Sequence, residues 1–163
     1  MNKNYASSCA HNRYLAYMKG SLTVRVRYCE CDPMRVVHHT VYPVWFEMGR
    51  TELLRSTGKT YREMEEAGAF LAVVRLQVSY KKPAKYDDEV RLETTMTDVG
   101  QVKIEHAYAL FRGDELLCSA STTLACIDRE ARCGRFQRIY LRCDGTFVAP
   151  HTPAMGNACV VLK

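Results

Sequence analysis

VRVRYCECDPMRVVHHTVYPVWFEMGRTELLR, Val24 to Arg55, changes its hydrophobic period part-way along. Up to its first cysteine the chain alternates: Leu22, Val24, Val26 and Tyr28 fall on one face, and Thr23, Arg25 and Arg27 on the other, which predicts a half-buried strand. Beyond the paired histidines the alternation stops. Val44, Trp45, Phe46, Met48, Leu53 and Leu54 wrap around much of a helical cylinder, so a buried helix is expected from Val41 to Thr57. Thr40 is suited to cap it, Pro43 fits its first turn, and Gly58 suits a left-handed stop. Between strand and helix lie two cysteines, an acid and two histidines, and the chemistry has to be sought there.

A shorter helix is expected over YREMEEAG, 61–68, followed by four segments of period two: FLAVVRLQVSY, DEVRLETTMT, VKIEHAYALFR and LLCSASTTLACID. The turn signals KKPAKYD, DVGQ and RGDE separate them, and the last two are joined closely enough for an antiparallel hairpin. One strand, a buried helix, a short helix and about four strands read as α+β, with an antiparallel sheet packed on the helix. We expect one domain over 20–145, an N-terminal tail over 1–19 and a C-terminal tail over 146–163. A sheet covers only one side of so apolar a helix, so a second subunit is expected to help cover the rest.

Composition sets limits on function. The 163 residues are 47% hydrophobic and 25% charged, within the ordinary globular range. No run of eighteen apolar residues occurs and the start lacks an apolar signal core, so the expected location is the cytoplasm, without a membrane partner. The eight cysteines then read as mainly reduced thiols. A net charge of +5, spread along the chain, favours a phosphate-bearing small molecule over nucleic acid.

Several residues of the opening stretch carry a further signal: Tyr28, Asp32, Val36, Val37, His39, Tyr42, Phe46, Glu47 and Arg50 to Leu54, with Tyr80, Pro83, Ala84, Tyr86, Asp87 and Asp88 downstream. In this pattern the chain, over roughly residues 20 to 130, resembles the hotdog-fold acyl-CoA thioesterases of the 4-hydroxybenzoyl-CoA thioesterase and YbgC-like family. The resemblance implies a hotdog fold, in which a curved antiparallel sheet wraps a long central helix. It also implies a homodimer or homotetramer with its sites at the subunit interface, and coenzyme A as part of the substrate rather than a cofactor. Such sequences usually have Thr before the Asp, Gly three residues after it and Asn before the Tyr, where this chain has Cys31, Arg35 and Val41. An arginine in place of that glycine implies either a different loop path or a cation for an anionic part of the substrate.

Thioester hydrolysis needs a base or nucleophile and a positive site for the oxyanion, and a helix N-terminus supplies the second from its own N–H groups. The resemblance assigns the oxyanion to backbone N–H near His39 and makes Asp32 base or nucleophile; the local alternative for Asp-Pro is a turn. The His39 ring is a further candidate catalytic group, and so is Glu47, because other hotdog branches carry the acid on the helix. The plainer expectation for Glu47 is an ion pair with Arg50. Tyr42 and Arg35 are candidate substrate contacts, Tyr42 also reading as core, and Lys81, Lys82 and Lys103 are candidate phosphate binders. A metal held by Cys29, Cys31, His38 and His39 is the rival reading, but the C-x-C spacing is not the usual zinc spacing, adjacent histidines point apart on regular backbone, and no metal is expected. A hotdog dehydratase or hydratase using His39 and Glu47, or a non-catalytic acyl-CoA-binding protein, are the alternatives to hydrolysis.

Overall fold

In the computed structural model, which describes residues 18–133, the first strand ends before the aromatic that sequence alternation assigns to it. Strand β1 spans Lys19–Arg25, and the chain then tightens into a 3-10 turn at Tyr28–Glu30. Tyr28 is therefore 80% exposed and not part of the inward face. Helix α1 follows at Val41–Arg55 and helix α2 at Tyr61–Glu66. Four strands complete the domain: β2 at Phe70–Tyr80, β3 at Glu89–Val99, β4 at Lys103–Arg112 and β5 at Glu115–Ile127. The tails expected over 1–19 and 146–163 lie outside the described residues, apart from positions 18 and 19, of which Lys19 already belongs to β1.

The strands form one antiparallel sheet in the order β1-β3-β4-β5-β2. The hairpin β4–β5 is as expected, with Gly113 at φ 56° in its turn. Among the described residues, strand β2 pairs only with β5 and so ends the sheet. Register shifts at Val73/Arg75, Met96/Asp98 and Leu110/Phe111 bend and twist three of the pairings, which helps the sheet to curl around α1.

Inward-facing positions of the strands meet α1 in two adjoining clusters. Tyr42, Trp45 and Phe46 pack with Val26, Val90, Leu92, Tyr108, Leu110 and Leu117, and the far end of the helix packs Leu53 and Leu54 with Met96, Val99 and Ile104. The helix is buried on one side only. Val44 and Met48, expected inside, are 53% and 41% exposed in the single chain.

Close approach of α1 to β3 depends on Gly49. A Cβ there would stand 2.4 Å from Thr94 Oγ1 and 2.7 Å from Leu92 Cδ2. Alanine is the better helix former, yet overpacking at so tight a contact outweighs that preference. Gly49→Ala is expected to lower stability by about 1–2 kcal/mol. Urea melts of the two proteins measure it, and an unchanged or higher midpoint would contradict the packing argument.

Candidate active site

The loop between β1 and α1 is organised by a buried acid. Glu30, only 5% exposed, accepts hydrogen bonds from the Arg27 guanidinium at 2.7 Å, the Arg27 main-chain N–H at 2.7 Å and the Trp45 indole at 3.3 Å. Burial pushes its carboxyl up, but these donors together hold it below the usual carboxylate range. One residue thus ties the loop to both β1 and α1. Sequence reasoning missed it, because an acid beside cysteines in a polar loop gives no sign of burial.

From this anchor the chain makes a narrow excursion that carries Asp32. Cys31 and Val37 form an antiparallel bridge, the Asp32 N–H donates to Val36 O at 2.9 Å, and the Arg35 N–H donates to Asp32 O at 2.8 Å. Asp32 Oδ1 accepts from the Met34 N–H at 2.8 Å, the hydrogen bond of an Asx turn. The turn expectation therefore describes this residue's conformation. The other carboxylate oxygen has no protein partner among the described residues, and the side chain is half-buried. Arg35 takes φ 64°, the left-handed region that glycine enters without cost and that costs other residues about 1–2 kcal/mol. The loop thus keeps a glycine-like path with an exposed arginine on it.

The excursion returns to the helix through two further hydrogen bonds. Val37 N–H donates to Ala84 O and His38 N–H to Glu30 O, both at 2.9 Å. Thr40 stands at the N-cap position in helical geometry, and its side chain makes no capping bond. Its hydroxyl lies 2.8 Å from His38 Nδ1 instead, so the expected Thr40 cap is absent. The His39 carbonyl accepts from the Tyr80 hydroxyl at 2.9 Å, which fixes one face of that residue, while its N–H has no acceptor among the described residues. The Thr40 N–H donates to His38 Nδ1 at 3.4 Å and the Val41 N–H to His38 O at 3.0 Å, so the His39 N–H is the one left open ahead of the helix, where the positive end of the dipole can stabilise an anion.

The two histidine rings do not point apart, since their centroids are 4.2 Å apart and tilted by 41°. Irregular backbone ahead of the helix brings them together. Cys29 and Cys31 do not share a strand face, because β1 has already ended. Among the described residues, no three His, Cys, Asp or Glu side chains gather closely enough for a metal ion, and five cysteines are free thiols. Tyr42 is buried, with its hydroxyl 3.4 Å from the Ala84 N–H and its ring edge-on to Tyr80; burial pushes its hydroxyl pKa up.

Glu47 pairs with Arg50 at 2.8 Å, the contact expected from their spacing. The pair is lopsided: Glu47 is exposed, whereas Arg50 is only 8% exposed. Behind Arg50 lies a polar cluster on the inner face of the sheet. His106 and Tyr108 stand on β4, with Thr94 opposite Tyr108 on β3 and Thr122 opposite His106 on β5. Tyr108 and Thr122 share a hydroxyl hydrogen bond of 2.9 Å. Arg50 Nε, Thr94 Oγ1 and His106 Nδ1 are buried without a hydrogen-bond partner among the described residues. Burial, with Arg50 adding to it, pushes His106 down to about 4. The strand alternation could have found this cluster, because His106 and Tyr108 occupy inward positions between Ile104 and Leu110.

The three candidate lysines do not converge within one chain. Lys81 and Lys82 donate their main-chain N–H groups to Leu117 O at the end of the sheet that carries the Asp32 loop. Lys103 pairs with Ala125, and the eight residues between 117 and 125 along β5 put it about 27 Å away. Lys82 is also engaged with Glu115 at 2.5 Å.

The Thioesterase superfamily profile matches residues 34–119, beginning just past Asp32. YneP of Bacillus subtilis is 36% identical over 109 residues, 66% of this chain and 79% of its own length. The acyl-CoA thioesterase YbgC of Haemophilus influenzae is 35% identical over 109 residues, covering 66% of this chain and 80% of its own. Among solved structures, the DHNA-CoA thioesterase of Staphylococcus aureus superposes with a TM-score of 0.72 at 30% identity, over 75% of this chain and 83% of its own.

Proposed function

This chain belongs to the thioesterase superfamily and has its hotdog fold, and from that membership we propose that it is a cytoplasmic acyl-CoA thioesterase in which Asp32 and the N-terminus of α1 carry the reaction. The observation that carries the reading is a carboxylate having one free oxygen on the loop that leads into α1, together with a His39 N–H that has no acceptor among the described residues just ahead of the helix. On this reading the thioester carbonyl oxygen turns toward the free N–H of His39, and the charge that develops there meets a fixed dipole. Asp32 then attacks the carbonyl carbon itself or takes a proton from an attacking water. Coenzyme A leaves as the thiol and the acyl group as the free acid. The Tyr80 bond to His39 O supports the role of that peptide, since it orients the group without using its N–H. No cofactor is required in this scheme, and coenzyme A enters only with the substrate.

Tyr42 takes a supporting part as the wall behind Tyr80, and of the three candidate lysines Lys81 and Lys82 lie at the same end of the sheet as the Asp32 loop. Lys103 can contribute only if a partner subunit brings it to the other site. We propose that the working form is a homodimer or a dimer of dimers. Two features support this: strand β2 is a sheet edge that exposes Val73, Val74, Leu76 and Tyr80, and α1 exposes Val44 and Met48.

Free thiol release from a panel of aliphatic and aromatic acyl-CoA esters tests the activity. Turnover of at least one class is expected. Binding of acyl-CoA with no turnover at any chain length would make the protein a carrier, and hydration of enoyl-CoA in the same panel would make it a hydratase.

A further inference from the structure

We propose that Arg35 is a specificity residue that holds a phosphate of the nucleotide end of coenzyme A, at some expense to the stability of the loop. The inference rests on the acyl-CoA reading above, and three observations carry it. Arg35 is a non-glycine residue at φ 64° within the turn that presents Asp32, where glycine would fold without strain. Local strain held at such a place is a pointer to function when the side chain has something to do. The side chain is exposed and forms no ion pair among the described residues, not even with Asp32 three residues away, whose Oδ1 is engaged by Met34. The turn therefore carries an exposed cation three residues from the carboxylate and unpaired with it.

The neighbourhood selects a group of several negative charges. The stem of the turn is hydrogen-bonded through Val37 to Ala84, which places Lys81 and Lys85, two further exposed cations without ion pairs among the described residues, on the adjoining segment. A rim of three unpaired cations outside a half-buried carboxylate suits phosphates that stay in solvent, and a guanidinium can grip a phosphate with two parallel hydrogen bonds. A carboxylate at the end of the acyl chain would have to sit deeper, away from this rim.

The test is binding of coenzyme A and of pantetheine, which lacks the nucleotide and its phosphates, measured by calorimetry on the wild-type protein, Arg35→Gly and Arg35→Lys. Because glycine relieves the strain, Arg35→Gly is expected to melt about 2–4 °C higher, so weaker binding cannot come from unfolding. The preference for coenzyme A over pantetheine should fall about tenfold in Arg35→Gly and recover in part in Arg35→Lys. An unchanged preference in Arg35→Gly overturns the inference, whether or not the wild type turns over acyl-CoA. Failure of the thioesterase reading shows separately, as coenzyme A binding without thiol release.

Discussion

Asp32→Asn is expected to slow thioester hydrolysis by roughly two to four orders of magnitude while leaving the fold intact. The substitution is conservative in the respect that matters for structure. Asparagine keeps the side-chain oxygen that accepts the Met34 N–H at 2.8 Å, so the Asx turn and the bridge between Cys31 and Val37 survive. It removes the negative charge and the basicity, and with them both proposed routes. In one, the carboxylate attacks the thioester carbon, a mixed anhydride forms as the thiolate leaves, and water then releases the acid. In the other, the carboxylate takes a proton from water as the water attacks. Single turnover in water enriched in oxygen-18 identifies the first route when label appears in Asp32, since only attack of water on the anhydride at the Asp32 carbonyl leaves label in the enzyme. Thiol release by Asp32→Asn near the wild-type rate, with an unchanged melting curve, would remove Asp32 from the mechanism.

Periodicity made the architecture legible, because strands and the helix announce themselves in which residues are apolar. The limits Phe70–Tyr80 of β2 follow the alternation and the turn after it, and Gly58 does take a positive φ, although α1 itself ends at Arg55. Strand order was less legible. Nothing local in β2 says that it crosses to the far edge of the sheet to pair with β5, since that choice is settled by packing around α1. The site divides in the same way. Asp32 and the helix that follows it could be found, since both are consecutive in sequence and match a family pattern. The partners that organise them could not: Glu30 acts through Trp45 fifteen residues on, and His39 through Tyr80 on another element. Thr40 failed as a cap because a histidine two residues earlier competes for its hydroxyl, which propensity for a single position does not register. Lys103 resembled its fellow lysines only in charge, and the antiparallel register carries it to the other end of the sheet.

The buried polar cluster predicts a loss of stability in mild acid. His106 is 3% exposed, and Arg50 on α1 is the charged group that adds to the effect of burial on it. Its remaining neighbours on the sheet are uncharged: Tyr108 on its own strand, Met96 opposite on β3 and Thr122 opposite on β5. Protonation would put a second cation beside Arg50 in a site with little water, so the folded state holds the ring neutral down to about 4, against 6.5 for the ordinary value. The sign follows from which state binds more protons. Between pH 6.5 and 4 the unfolded chain takes up a proton that the folded chain refuses, so stability is full above pH 6.5 and falls as pH falls through that window. The two pKa values correspond to roughly 2 kcal/mol lost by pH 5 and about 3 kcal/mol by pH 4. His106→Phe removes the titration while keeping a flat ring to stack on Tyr108, and it also removes the unpartnered Nδ1. Urea melts at pH 7 and pH 5 should therefore show the wild type losing about 2 kcal/mol more than the variant over that interval. Equal losses in the two proteins would mean that His106 is not the group responsible, and that water reaches the cluster freely enough to hydrate its charge.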